Sequence, residues 1–106
     1  MSQLSELYEA PYYAVIFTSI LDGKDSEGYE KMAKKMVDLA SQQRGFLGMD
    51  SARADIGITV SYWKDLNSVS EWKRNIEHTE AQKFGKSVWY KNYRIRVCRV
   101  ERQYGF

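Results

Sequence analysis

Residues 58–85 read ITVSYWKDLNSVSEWKRNIEHTEAQKFG. Ile58, Val60 and Tyr62 alternate with Thr59, Ser61 and Trp63, the period of two that marks a β-strand. The pattern then changes to Leu66, Val69 and Trp72, the spacing of one helix face. Asp65 or Ser68 can start that helix, and Ser68-Val69-Ser70-Glu71 is a capping-box sequence. A break is expected at Asn75-Ile76-Glu77, after which the only histidine of the chain opens a second short helix. His78, Ala81, Gln82 and Gly85 fall at i, i+3, i+4 and i+7, on one face of it. Imidazole, methyl, amide and bare backbone fill space poorly, so this face, with Trp63 and Trp72 nearby in sequence, is the candidate pocket.

Working outward, residues 12–20 (YYAVIFTSI) are β-branched and aromatic and predict a first strand. A turn over residues 21–25 follows, with Asp25 or Ser26 placed to cap a helix. Tyr29, Met32, Ala33, Met36, Val37 and Ala40 recur at helical spacing, and Gly45 can supply the left-handed stop. Residues 46–54 predict a second strand, weakened by Gly48. Residues 54–57 predict a hairpin turn, residues 57–63 the third strand, and residues 89–100 a long fourth one. The order is that of an α+β, ferredoxin-like βαββαβ domain: a four-stranded antiparallel sheet with two helices on one face. Residues 1–11 are expected to form an irregular N-terminal arm ending at Pro11, and residues 12–106 a single domain.

In the first strand Tyr13, Val15 and Phe17 point one way, while Ala14 and Ile16 point the other. An apolar sheet face left bare of helices needs a cover. A homodimer that closes two sheets into one barrel is the simplest, with the long last strand crossing to its partner.

The composition narrows the class. A net charge of +2 is too small to imply nucleic acid or an anionic membrane, and the apolar runs are too short to span a bilayer. Residues 1–11 carry Glu6 and Glu9 and lack the plan of a secretory signal. A single cysteine, Cys98, excludes an internal disulfide, fits a reducing cytoplasmic compartment, and is expected to be an inert buried thiol. No Cys/His cluster has metal-ligand spacing, so no metal is expected. Residues 44–49 (RGFLGM) are similar to an RNA-recognition signature, but that signature belongs on a third strand and here enters the second. Arg94, Arg96 and Arg102 read instead as the solvent rim of an edge strand.

The segment W-K-x-L-x-S-V-x-x-W-K-R-N-x-E-H-x-x-A-Q from Trp63 to Gln82, followed by Trp89-Tyr90 and Arg94-Ile95-Arg96-Val97, resembles the antibiotic biosynthesis monooxygenase family. The resemblance covers about residues 12–104, because the order of elements agrees as well. It implies a small dimeric α+β barrel. It also implies a monooxygenase that oxidises a small aromatic, phenolic or quinol-like substrate with O2 and no cofactor. Such a site needs a base, a dry slot and donors for a developing oxyanion. His78 is the candidate base, since unperturbed imidazole titrates near ~6.5. Trp72, Trp63 and Phe17 are candidate walls, and Arg74, Asn75 and Gln82 candidate donors.

Each of these residues has a plainer role beside the functional one. His78 can hydrogen-bond a carbonyl across the helix break, Trp63 and Trp72 can be core, Arg74 a solvated charge and Asn75 a helix terminator. The family also includes heme degraders, which resemble this chain in two tryptophans spaced like Trp63 and Trp72 and in an alanine at Ala81. Their next residue is the iron-ligating histidine, which here is Gln82, a poor iron ligand. Their first-strand asparagine is replaced here by Thr18 or Ser19, and His78 is the alternative ligand one turn earlier. A non-catalytic barrel that binds a small ligand is the other class.

Overall fold

The computed structural model describes residues 4–23, 26–77 and 89–106. These form, in order, β1 (Tyr12–Leu21), α1 (Ser26–Ser41), β2 (Phe46–Arg53), β3 (Gly57–Trp63), α2 (Leu66–Glu77) and β4 (Tyr90–Val100). The strands lie in one sheet in the order β2-β3-β1-β4, and every neighbouring pair is antiparallel. β2 and β3 form a hairpin, whereas each helix links two strands that are not neighbours. This is the ferredoxin-like βαββαβ arrangement that the residue periodicities predict.

Both helices pack on the face of the sheet that carries Val15, Phe46, Met49 and Trp63. Trp63 is fully buried, stacked on Trp72 with ring centroids 5.8 Å apart and met edge-on by Phe46 at 5.4 Å. Met36, Leu39 and Ala40 of α1 and Val69 and Ile76 of α2 close around them. A buried indole of this size contributes roughly 5 kcal/mol of transfer free energy. Its one polar atom is satisfied, since Nε1–H donates to Ser61 Oγ at 2.8 Å. On α1 the buried stripe runs through Leu39, while Val37, expected to be part of it, is 46% exposed.

Asp65 is the cap of α2: its Oδ1 accepts the backbone N–H and the hydroxyl of Ser68, each at 2.8 Å. Those two bonds hold its carboxyl below the usual carboxylate range. Gly45 takes a φ of 85° beneath that turn, and a Cβ there would run into the Ser68 hydroxyl. The exit from α1 and the entry to α2 are therefore pressed together at one glycine.

Two further expectations are corrected. α2 does not break at Asn75 but continues to Glu77. The Asn75 amide donates to Glu71 O and to Gln43 Oε1, both at 3.1 Å, and Ile76 packs on the core, so the extra turn is held from both sides. Cys98 is exposed, not buried. It lies on the face of β4 that the helices do not cover, paired with Ala14.

That outer face is partly roofed by the chain itself. The arm before Pro11 lays Tyr8 against Tyr12 and Tyr62, with ring centroids 5.6 and 6.0 Å away. Gly48 makes the approach possible, because a Cβ there would strike the Tyr8 hydroxyl. Ser5 N–H donates to Asp50 Oδ1 at 2.9 Å, and Tyr62 O–H to Asp50 Oδ2 at 2.8 Å. From the tail, Gln103 accepts from Tyr12 O–H at 2.6 Å and donates to Tyr8 O. Beyond this roof Ile20 and Ile58 remain open, the latter 45% exposed.

Candidate functional site

Strand register sets the geometry at the other end of the helix-side face. Arg53 on β2 lies opposite Gly57 on β3, Gly57 opposite Ser19 on β1, and Ser19 opposite Tyr93 on β4. These four residues form one row across the whole sheet, with side chains on the face that carries the helices. Gly57 leaves a gap in that row, and a Cβ there would collide with the Arg53 guanidinium. Through the gap Arg53 crosses β3, and its Nη2 donates to Ser19 Oγ. Ser19 is 2% exposed, so this bond satisfies a hydroxyl that water scarcely reaches.

One aromatic ring faces the guanidinium, and others pack around that ring. Its Cζ lies 5.6 Å from the centroid of the Tyr29 ring, a cation–π distance, and Nη2 is 3.4 Å from the Tyr29 hydroxyl. Tyr29 meets Trp89 at 5.9 Å and Tyr90 at 5.8 Å. Phe17, two residues before Ser19 on the same face of β1, meets Tyr90 edge-on at 5.3 Å and stacks on Tyr93 at 5.5 Å. Asp22 N–H donates to Trp89 O at 2.8 Å, which ties the start of β4 to the end of β1 just past a bulge. Burial, then the neighbouring Tyr29 hydroxyl, push the Tyr90 phenol well above its ordinary value, and Arg53 only partly opposes this. Tyr90 therefore stays protonated, a hydrogen-bond donor and not a base.

The floor beside these rings is apolar and open. Val97 pairs with Val15 and Ile95 with Phe17, so both point to the helix side of the sheet. Yet they are 50% and 51% exposed among the described residues. Cation, ring faces and uncovered apolar strip make an arrangement suited to a flat molecule carrying negative charge at one edge.

The residues singled out in the sequence are distributed differently. Phe17 belongs to this aromatic wall. Trp63 and Trp72 sit together in the core at the opposite end of the sheet, about 20 Å away along six residues of β3. Arg74 forms an exposed pair with Glu71 at 3.4 Å, and Asn75 bonds Gln43, both on the outside of α2. His78, Gln82 and the helix expected to carry them lie outside the described residues. Arg53, Tyr29, Tyr90 and Tyr93 were not anticipated as site residues. The available signal is an arginine facing a glycine across a hairpin, at the junction where the turn meets the third strand.

No family model matches the chain. The uncharacterised protein YqjZ of Bacillus subtilis is 49% identical over 105 residues, covering 97% of this chain and 91% of its own length. Among solved structures, SnoaB, a cofactor-independent oxygenase from Streptomyces nogalater, superimposes with a TM-score of 0.74 at 12% identity, over 90% of this chain and 97% of its own. A candidate antibiotic biosynthesis monooxygenase from Nitrosomonas europaea gives 0.73 at 9% identity, over 89% and 95%. At such identities the likeness is one of fold. The chain thus belongs to the family of YqjZ and has the βαββαβ fold of the antibiotic biosynthesis monooxygenase-like proteins.

Proposed function

We propose that the protein is a cofactor-independent monooxygenase for a small aromatic, phenolic or quinol-like substrate. The observation that carries this is the Arg53 guanidinium on the Tyr29 ring, at the border of a cluster with Phe17, Tyr90 and Tyr93 and beside the open strip of Ile95 and Val97. SnoaB, with the same fold, is a cofactor-independent oxygenase, which supports the class of chemistry but not a substrate. Loss of a proton makes an electron-rich phenol a reductant strong enough to pass one electron to O2. Collapse of the resulting radical pair forms a C–O bond, and the hydroperoxide then loses water to leave a carbonyl. Both atoms of O2 are accounted for, one in product and one in water, and no outside reductant is consumed.

The chain's residues divide the work. Arg53 stabilises the oxyanion, and the rings and apolar strip seat the aromatic body of the substrate. Tyr90 cannot take the proton, and Asp50 is on the opposite face of the sheet, bound to Ser5 and Tyr62. His78, which follows the last residue of α2 in the chain, is assigned as the base. His78 and Gln82 are also the residues on which a heme iron would depend.

We further assign the outer face, with Ile16, Ile20, Ile58 and Cys98, as the seat of a second copy in a homodimer. Oxygen uptake with a panel of anthrones and hydroquinones, run on the native chain and on His78→Ala, tests the enzyme. Uptake that falls at least ~100-fold in the variant fits general-base catalysis. Equal rates would remove His78, and no uptake with any member of the panel would remove the oxygenase.

A further inference from the structure

We infer that Arg53, held over Gly57 by Ser19 and Tyr29, is an anion receptor that selects planar aromatic ligands bearing an ionised oxygen group. This deepens the oxygenase assignment by naming its substrate class, and it rests on that assignment only for the claim of turnover.

Arg53 carries five N–H donors. Nη2 is directed at Ser19 and Tyr29, and among the described residues Nε and Nη1 make no hydrogen bond. An arginine merely bracing the sheet would need only the Ser19 contact, yet this one is brought beneath an aromatic face with donors to spare. Phe17 precedes Ser19 by two residues on the same face of β1, roughly 7 Å away along the strand. That is the span of one ring with its charged substituent. A ligand lying on Phe17 and the Ile95–Val97 strip therefore places an anionic oxygen at the guanidinium. A neutral isostere keeps the stacking but loses the charge-assisted hydrogen bond, which is worth about tenfold or more in affinity.

The source of the charge, carboxylate or phenolate, is separated by the choice of probe. Binding of 2-naphthoate and of neutral 2-naphthamide is measured at pH 7 by quenching of tryptophan fluorescence. 4-Nitrophenol is followed separately by the visible absorbance of its phenolate. Expected for the native chain are naphthoate at least about tenfold tighter than naphthamide, and bound nitrophenol shifted toward the phenolate. Arg53→Met is expected to abolish both effects while still binding naphthamide. Arg53→Lys guards against a folding defect, because it keeps the charge and should keep part of the preference.

Equal binding of acid and amide by the native chain overturns the inference. So does a preference that survives in Arg53→Met, or one that is wholly lost in a folded Arg53→Lys. Anion preference without oxygen uptake would leave the receptor standing and remove the oxygenase. Uptake without anion preference would do the reverse.

Discussion

Arg53 on β2 donates to Ser19 on β1 across an intervening strand, over the one position in that row, Gly57, that has no side chain. The relationship makes Gly57 and Arg53 a coupled pair. Gly57→Ala alone is expected to cost about 1–3 kcal/mol, because the displaced guanidinium leaves the buried Ser19 hydroxyl unpaired. In an Arg53→Ala background the same substitution should cost far less. Denaturant midpoints of the four proteins form a double-mutant cycle, and costs that simply add would show that no such coupling exists.

Trp63 is a core residue in this fold, whatever the slot contains. Trp63→Ala should lose about 3–5 kcal/mol, a large share of the ~5–15 kcal/mol that holds a domain of this kind. Trp63→Phe keeps an aromatic ring in place and should leave naphthoate affinity within about twofold. A folded Trp63→Phe protein with abolished ligand binding would return Trp63 to the slot wall.

Asp50 and Tyr62 give the arm a defined pH range. Burial raises the Asp50 carboxyl, but the Ser5 and Tyr62 hydrogen bonds outweigh it and hold it below its ordinary value. The stabilisation is therefore complete above ~4 and is lost as pH falls through the depressed value. Burial, then the bond to Asp50, push Tyr62 up to about 12, so its share persists below ~10 and disappears as pH rises through about 12. Asp50→Asn should weaken the acid dependence and let Tyr62 ionise earlier, as read from tyrosinate absorbance. An unchanged Tyr62 titration would contradict the pairing.

The exposed thiol of Cys98 reports on the outer face. The native chain is expected to elute at twice its mass, with Cys98 reacting slowly with thiol reagents. Ile58→Glu, which places a charge in the open apolar area, should elute at chain mass with a fast-reacting thiol. A well-folded native monomer would contradict the homodimer.

Hemin added to the native chain should give no Soret shift, because Gln82 stands where the heme degraders carry their iron ligand. A Soret band that vanishes in His78→Ala would install the heme alternative.

The architecture was legible because local periodicities announce it. Alternation in β1 and β3, the stripe on α1 apart from Val37, and Gly45 at the helix exit survive into the structure. The aromatic and cationic cluster was not legible, because it is a product of register. Arg53 and Ser19 are 34 residues apart, and they meet only because four strands align one row and one member of that row is bare. Cys98 was misread for a related reason. A strand residue is buried by whatever lands on its face, and alternation does not say what that is. The expected break at Asn75 failed because its amide found partners at Glu71 and Gln43 within and beside the helix.

The knot of Tyr8, Tyr12, Tyr62 and Gln103 has a steric corollary for assembly. By occupying one end of the uncovered face, the leading segment shortens the landing ground for any incoming body and pushes the docking centre toward Ile20 and Ile58. Trimming residues 1–9 should expose greasy area that nothing is shaped to match, trading a discrete assembly for indiscriminate clumping.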